Sequence, residues 1–193
     1  MRFLHAISGF FLFFELPIPV FWLIVHPFPA FWRKHVRAAF WFAGLTAWIT
    51  GGTVLWVFRR SLLVAERPSW TVIAAGSVLI GIEIYLFGRV ERELGARRLV
   101  GHAELTNKGE MHTAGLYAHV RHPRYSGMFC GVAGAALLCG THLLWGILAP
   151  WVALALLAIR MEERELAARF GPAYKEYCKR VPAFLPVRIF SSH

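Results

Sequence analysis

Residues 125–159 have the sequence YSGMFCGVAGAALLCGTHLLWGILAPWVALALLAI and contain no Lys, Arg, Asp or Glu. About 20 helical residues cross the hydrocarbon core of a bilayer, so a run of 35 residues is too long for one span. Residues 140–142, Gly-Thr-His, interrupt the run near its middle, where the glycine favours a turn. The run therefore predicts a tight helical hairpin whose arms, Tyr125–Cys139 and Leu143–Ile159, are short for full spans.

Three further apolar segments precede the hairpin, namely Phe3–Val25, Ala38–Phe58 and Ser69–Gly88. The first contains Glu15 as its only formal charge and is broken by Pro17 and Pro19, whereas the third contains only Glu83. The chain has 57% hydrophobic and 17% charged residues, and ordinary soluble domains carry about 25% charged residues. The predicted fold class is therefore all-α, an integral membrane helical bundle of about five transmembrane helices that include the C-terminal hairpin.

The net charge of +10 arises from 21 Lys and Arg residues against 11 acidic residues, all of them Glu. Seventeen of the 21 cations fall in one set of alternate loops, and cytoplasmic loops carry such an excess. This predicts a cytoplasmic 30–37 loop, a cytoplasmic 89–124 connector and a cytoplasmic tail, with the N-terminus outside. No nucleic-acid partner is expected, because the chain has too little polar surface to display the charge. The three cysteines lack metal-ligand spacing, so no metal site is predicted.

The chain divides into two predicted regions. Residues 1–88 form an N-terminal three-helix membrane region, and residues 89–193 form a second region that contains the hairpin 125–159. The connector and the tail of the second region lie on the same predicted side of the membrane. A cytosolic ligand would contact both segments and a lipid would reach them from the bilayer, so we expect the chemistry of the protein there.

The sequence GLYAHVRHPRY, residues 115–125, stands directly before the hairpin. Pro123 suits the first turn of a helix, where its missing N–H removes no hydrogen bond. Its neighbours Arg121, His122, Arg124 and Tyr125 therefore lie together at a helix N-terminus, at the level of the lipid headgroups. Cations at a helix N-terminus form an anion site. The alternative is that they are ordinary positive-inside residues with an interfacial tyrosine.

A pair of carboxylates, Glu162 and Glu163, follows the hairpin within one turn of the predicted membrane exit. Carboxylates at that depth are costly unless they are paired or bind a ligand. The segment from Arg160 predicts an interfacial helix that ends at Gly171-Pro172. A second helix then starts and carries Tyr174 and Tyr177 on one face.

These segments resemble the isoprenylcysteine carboxyl methyltransferase family. The resemblance covers about residues 94–186 and depends on the order of G-x-Y-x-x-x-R-H-P-x-Y, the uncharged hairpin, E-E-x(7)-G-x-x-Y-x-x-Y and a final K-R-V-P-x-x-L-P. It implies that residues 89–193 bind S-adenosylmethionine from the cytosol and that a lipid-linked or lipid-like acceptor enters from the bilayer. The cofactor-binding residues that it implies are Glu110, Met111, His112, Thr113, Tyr117, His122, Pro123, Arg124, Tyr125 and Glu162.

One departure from the family concerns the acceptor. The family tends to carry an Arg four residues before the first motif glutamate, but here that residue is Ala158 and the nearest cation is Arg160. A carboxylate acceptor is already ionised at neutral pH and needs no base, but it needs a cation, for which the candidates are Arg121, Arg124 and Arg160. An amine acceptor would need a base, for which the candidates are Glu163 and His122. The predicted catalytic residues are Arg121, Arg160 and Glu163.

The predicted function is methyl transfer from S-adenosylmethionine to the carboxylate of a lipid-modified, isoprenylcysteine-like acceptor. A phospholipid N-methyltransferase is the first alternative, since that group has a similar small helical architecture and a double-glutamate motif. The segment YCKRVP, residues 177–182, is also distantly similar to membrane sterol reductases that use NADPH. A non-enzymatic scaffold with a basic face for anionic lipids is the last alternative.

Overall fold

The computed structural model describes residues 2–63, 68–95 and 111–184, which form helices and their connections with no strand in those ranges. The elements in chain order are α1 (Arg2–Glu15), α2 (Pro17–Val25), α3 (Pro29–Lys34), α4 (Val36–Ala38), a π-helical turn (Ala39–Ala43), α5 (Gly44–Leu63), α6 (Trp70–Leu94), a 3-10 turn (Gly115–Ala118), α7 (Pro123–Cys139), α8 (His142–Phe170) and α9 (Pro172–Arg180). The predicted all-α fold class is confirmed.

Four helical segments are long and apolar enough to cross a membrane, namely Phe3–Val25, Val36–Arg60, Trp70–Leu94 and His142–Phe170. The first arm of the predicted hairpin, α7, has only 17 residues. The count of about five spans therefore stays a prediction, as does the orientation of the termini.

The predicted break in the first apolar segment is confirmed, because α1 ends at Glu15 and α2 begins at Pro17. Both Pro17 and Pro19 lie in the first turn of α2, where a missing N–H costs no helical hydrogen bond. The third segment is longer than predicted, since α6 continues from residue 88 to Leu94. Its final turns are charged, and Arg89 Nη2 pairs with Glu93 Oε1 at 3.0 Å. The predicted region boundary at residue 88 thus lies inside a helix.

The predicted hairpin is confirmed as α7 and α8. Gly140 ends α7 with φ 71°, a left-handed conformation that glycine adopts without a steric penalty. The separate interfacial helix predicted from Arg160 is wrong, because α8 continues without interruption to Phe170. No Pro or Gly occurs between residues 151 and 170, and this stretch is rich in strong helix formers. The predicted stop at Gly171-Pro172 is confirmed, with Gly171 at φ 57°.

Helix α7 is the most enclosed element of the described structure and packs mainly against α6 and α1. Small residues allow the close approach, because a Cβ added at Gly134 would lie 2.7 Å from the carbonyl oxygen of Gly76. Gly131 lies against the Glu83 side chain in the same way. The small-residue face of Gly127, Gly131 and Gly134 is therefore a packing surface.

Candidate active site

Arg121, His122 and Glu163 form an ion-paired cluster where the chain enters α7. Glu163 Oε1 accepts hydrogen bonds from Arg121 Nε at 3.0 Å and from Arg121 Nη2 at 2.7 Å. The same oxygen lies 3.0 Å from His122 Nε2, and an ionised carboxylate only accepts, so this nitrogen carries the proton. The structure thus brings together two of the three predicted catalytic residues and one predicted cofactor-binding residue.

Arg121 also links the cluster to the segment that follows α9. Its Nη1 donates to the carbonyl oxygens of Cys178 at 3.3 Å and Val181 at 2.6 Å, and its backbone N–H donates to the Pro182 carbonyl at 2.9 Å. Burial lowers the pKa of Arg121, but the hydrogen bond from Arg121 to Glu163 and the charge of Glu163 raise it overall. A ligand carboxylate would have to compete with Glu163 for this guanidinium.

Of the predicted cofactor-binding residues before α7, Tyr117 lies in the 3-10 turn and contacts both Tyr177 and His112. The Tyr177 O–H donates to the Tyr117 carbonyl oxygen at 2.6 Å, and burial raises the pKa of Tyr177 to about 12, so the phenol keeps its proton. The His112 ring packs edge-on against the Tyr117 ring with centroids 5.4 Å apart. Met111 packs against the cluster that contains Tyr177, whereas Thr113 is exposed.

Two polar groups of the predicted cofactor site have capacity for a further hydrogen bond. Glu162 keeps a quarter of its side chain exposed, and its Oε2 lies 4.0 Å from His122 Nδ1. His112 Nε2 is buried and has no hydrogen-bond partner within the described part of the chain. A buried polar atom without a partner costs about 1–3 kcal/mol, so a ligand that bonds to it would relieve that cost. Glu110 lies outside the described residues.

Arg124 makes its ion pairs inside the bundle rather than with the Glu163 cluster. Its Nη1 donates to Glu83 Oε1 at 2.6 Å, and its Nη2 donates to Glu15 Oε1 at 2.9 Å and Oε2 at 3.0 Å. The three residues come from α7, α6 and α1. The sequence indicated both glutamates as intramembrane carboxylates, but their common partner, Arg124, was predicted as a cofactor-binding residue and as a candidate cation for the acceptor. Two carboxylates inside the membrane region need a cation as partner, and this requirement could have predicted their pairing with Arg124.

A cavity of about 810 Å³ lies beside these ion pairs. Pockets of about 300–1,000 Å³ are typical of small-molecule sites. Its wall is mainly aromatic and aliphatic and includes Phe11, Phe14, Trp22, Trp48, Phe87 and Met128. The charged groups among its lining residues are Glu15, Glu83 and Arg124.

The cavity and the charged cluster meet in the first turn of α7. Tyr125 lines the cavity, and its ring centroid lies 6.0 Å from that of His122. Pro123, between them in sequence, is buried in the same turn. The His122 ring also contacts the Phe184 ring at a centroid distance of 6.0 Å. The apolar cavity and the Arg121 cluster are therefore close to each other, with the Tyr125 ring between them.

The third predicted catalytic residue does not join this cluster. Ala158 and Ile159 lie on the buried face of α8, and Arg160 is exposed. On a helix, successive residues are rotated by about 100°, which turns Arg160 away from the face that carries its buried neighbours. The catalytic role predicted for Arg160 stays a prediction, because no contact between Arg160 and the Arg121 cluster is seen among the described residues.

A further set of ion pairs joins the 26–33 segment to α8. Glu165 Oε2 lies 3.0 Å from His26 Nδ1, and Glu165 Oε1 accepts from Arg33 Nη2. The His26 ring also stacks on Trp22 with centroids 4.8 Å apart. The N-terminal helices are thus held against the helix that carries Glu162 and Glu163.

This fold and site define an integral membrane protein, built from apolar helices, that carries an ion-paired cluster beside a large apolar cavity. The pattern that defines the phospholipid methyltransferase family matches residues 71–173, and the chain belongs to this family. The match covers all of α6 except Trp70, the whole of α7 and α8, and every described member of the Arg121 cluster.

Three curated relatives make the comparison more specific. The chain is 38% identical over 118 residues to Protein-S-isoprenylcysteine O-methyltransferase of Xenopus laevis, covering 56% of this chain and 40% of the relative. It is 29% identical over 144 residues to Methanethiol S-methyltransferase 2 of Bradyrhizobium diazoefficiens, covering 75% and 51%. It is 38% identical over 77 residues to the Protein-S-isoprenylcysteine O-methyltransferase of Schizosaccharomyces pombe, covering 39% and 32%.

These relatives confirm the resemblance to isoprenylcysteine carboxyl methyltransferases that the motifs predict. The chain spans about half the length, or less, of the relatives it matches. No solved structure matches the chain.

Proposed function

We propose that this chain is a membrane methyltransferase that moves a methyl group from S-adenosylmethionine to an acceptor that enters from the bilayer. The observation that carries the proposal is the meeting of the apolar cavity with the charged cluster at His122 and Tyr125. A polar cofactor and an apolar acceptor need two different compartments that share a wall. The relatives named as O- and S-methyltransferases support the reaction class.

The residues present fit the cofactor. The Glu162 carboxylate, a quarter exposed, is suited to accept hydrogen bonds from an ammonium group or ribose hydroxyls. His112 Nε2, which has no hydrogen-bond partner among the described residues, offers a polar contact, and the Tyr117 ring next to it offers an apolar surface. S-adenosylmethionine, when bound, supplies an activated methyl group on its sulfonium.

The cluster itself acts by positioning. Glu163 fixes the His122 tautomer and holds Arg121, which in turn holds the chain around Val181. Rigid placement of both reactants is the main contribution that methyl transfer to an ionised acceptor requires, because alignment supplies much of the rate. Arg121 is therefore proposed as a positioning residue that acts through the pocket walls.

The acceptor predicted from the resemblance is the carboxylate of a lipid-modified molecule, and the two relatives named for isoprenylcysteine support it. N-methylation of an amine-bearing lipid is a second candidate, and one observation favours it. Arg121 and Arg124 are both held by glutamates in the described structure, and Arg160 is exposed. A carboxylate acceptor would have to compete with these glutamates for its cation.

A sterol reductase and a lipid-binding scaffold are less well supported. The reductase resemblance rests on a few tail residues, whereas the methyltransferase family match covers residues 71–173. A scaffold that binds anionic lipid has no need of a cavity of this size next to a hydrogen-bonded cluster.

Calorimetry with S-adenosylhomocysteine on the detergent-purified chain tests the cofactor site. We expect binding in the wild type, at least tenfold weaker binding in Glu162→Gln, and unchanged binding in Glu176→Gln, a control on the exposed face of α9. Absence of binding at millimolar ligand would contradict the proposal. Labelled S-adenosylmethionine incubated with a lipid extract then identifies the acceptor, because base releases methanol from an ester but not from a methylated amine.

A further inference from the structure

The 3-10 turn that carries Tyr117 is capped by a side chain from another helix. Its own N-cap residue, Ala114, has no side-chain acceptor. Glu93, in the last turn of α6, takes this role, because its Oε2 accepts from the Leu116 backbone N–H at 3.0 Å. The first N–H groups of a helical turn need such an acceptor, since no carbonyl of the turn itself reaches them. Glu93 therefore joins the end of α6 to the start of the turn.

The Glu93 carboxylate is fixed at both of its oxygens. Arg89, one turn earlier on α6, donates from Nη2 to Glu93 Oε1 at 3.0 Å. Gly115 allows the close approach from the other side, because a Cβ at this position would overlap the carboxylate. Gly115 also has φ 60°, which glycine adopts without a steric penalty. The Glu93 side chain is only 14% exposed as a result.

The turn is held from a second direction by α9. The Tyr177 O–H donates to the Tyr117 carbonyl oxygen at 2.6 Å. This bond and the bond from Glu93 are both made to backbone groups of the turn, so together they fix where its side chains stand. The Tyr117 ring then lies edge-on against the His112 ring.

We propose that Glu93 is a positioning residue for the cofactor, which acts by fixing the 3-10 turn and thereby placing Tyr117 beside His112. The inference rests on the proposed function, in which these two side chains contact S-adenosylmethionine. Glu93 belongs neither to the site residues predicted from the sequence nor to the double-glutamate motif. Its effect on affinity follows because a pocket that must order itself before it binds a ligand binds that ligand more weakly.

A purely structural role predicts a different result. If Glu93 only stabilised the fold, its loss would lower the melting temperature and leave the affinity of the folded protein unchanged. Calorimetry with S-adenosylhomocysteine, at a temperature well below the melting of every variant, separates the two roles.

We expect the affinity for S-adenosylhomocysteine to fall by about tenfold or more in Glu93→Ala. Glu93→Gln keeps a carbonyl oxygen that can accept from the Leu116 N–H, so its affinity should stay within about threefold of the wild type. Glu91→Ala is the matched control, because Glu91 is exposed on the same helix two positions earlier, and it should bind like the wild type. If Glu93→Ala does not fold, Glu93→Asp, whose side chain is one methylene shorter, serves as the second variant with the same expected loss.

Hydrogen exchange of the Leu116 amide tests the cap without any ligand. The bond to Glu93 protects this amide, so exchange should be faster in Glu93→Ala and stay slow in Glu93→Gln and Glu91→Ala. Faster exchange together with weaker binding is the combination that supports the inference.

Equal S-adenosylhomocysteine affinity in the wild type and Glu93→Ala would overturn the inference and leave the proposed function standing. An equal loss of affinity in Glu91→Ala would overturn it as well, because the effect would not be specific to the cap. Absence of binding to the wild type would contradict the proposed function and with it the positioning of a cofactor, even if hydrogen exchange confirmed the cap.

Discussion

At the scale of single residues, two neighbouring glutamates have different expected roles. Glu163 binds Arg121 and His122 at 2.7–3.0 Å, whereas the Glu162 carboxylate lies no closer than 4.0 Å to His122. Glu163 is used in hydrogen bonds within the protein, and Glu162 is the one expected to bind a ligand. The sequence predicts Glu162 as a cofactor-binding residue and Glu163 as a catalytic residue, but it does not show that Glu163 is held by Arg121 and His122.

We therefore predict that Glu163→Gln lowers thermal stability more than Glu162→Gln does. Hydrogen bonds to charged groups contribute about 1.5–3 kcal/mol, and the partial exposure of Glu163 reduces this to about 1–2 kcal/mol. Melting of both purified variants in the same detergent measures the difference. Equal melting temperatures would show that the Arg121–Glu163 contact contributes nothing.

Tyr177→Phe tests the contact between α9 and the 3-10 turn. The variant keeps the ring but removes the donor to the Tyr117 carbonyl, which is expected to cost about 1 kcal/mol of unfolding free energy. S-adenosylhomocysteine affinity should also fall, because Tyr117 is then less firmly placed. Tyr85→Phe, at an exposed tyrosine of α6, is the matched control and should change neither quantity.

The sequence predicted the members of the Arg121 cluster because the motif residues come directly before the first helix of a hairpin and directly after the uncharged part of its second helix, which brings them together. It could not predict what each side chain binds. Arg124 follows His122 by two residues, yet its partners lie 41 and 109 positions away. Such pairings depend on how helices pack, which no local pattern specifies.

At the scale of helices, the contact between α6 and α7 depends on glycines that face each other. We predict that Gly134→Ala destabilises the protein by about 1–3 kcal/mol, because the added methyl group meets the carbonyl of Gly76 and the backbones must separate. Thermal melting measures this. Gly81→Ala on α6, where nothing lies within 4 Å of the added atom, should be neutral or slightly stabilising.

Helix ends were predicted well where glycine or proline marks them and poorly elsewhere. The ends at Gly140 and Gly171-Pro172 agree with the structure, since both glycines adopt positive φ. The exit of α8 from the predicted membrane region carries no such residue. Charge alone suggested a boundary at Arg160, but a helix continues through charged residues when their backbone hydrogen bonds remain intact.

At the scale of the whole molecule, the cation distribution predicts which ends face the cytoplasm. In a variant lacking all three cysteines, Lys175→Cys should react with an impermeant maleimide only from the cytoplasmic side. His142→Cys, exposed at the start of α8, should react only from the opposite side. Labelling of intact cells and of inverted vesicles distinguishes the two, and the reverse pattern would overturn the predicted orientation.

The family resemblance covers the C-terminal half of the chain, and that half contains all the predicted cofactor-binding residues. The cavity wall comes largely from α1, α2 and α5, about which the motifs carry no information. The sequence could therefore predict a reaction class but not the shape of the apolar cavity. Apolar periodicity identifies a membrane helix without saying which of its faces borders a cavity.

The pairing of Glu165 with His26 and Arg33 has a consequence for protein engineering. The N-terminal helices cannot simply be replaced by those of a relative. A replacement that changes His26 or Arg33 removes an ion-pair or hydrogen-bond partner of Glu165 on α8. A functional chimaera has to transfer all three positions together. A chimaera made to change the acceptor preference through the N-terminal half therefore needs His26, Arg33 and Glu165 from the same parent.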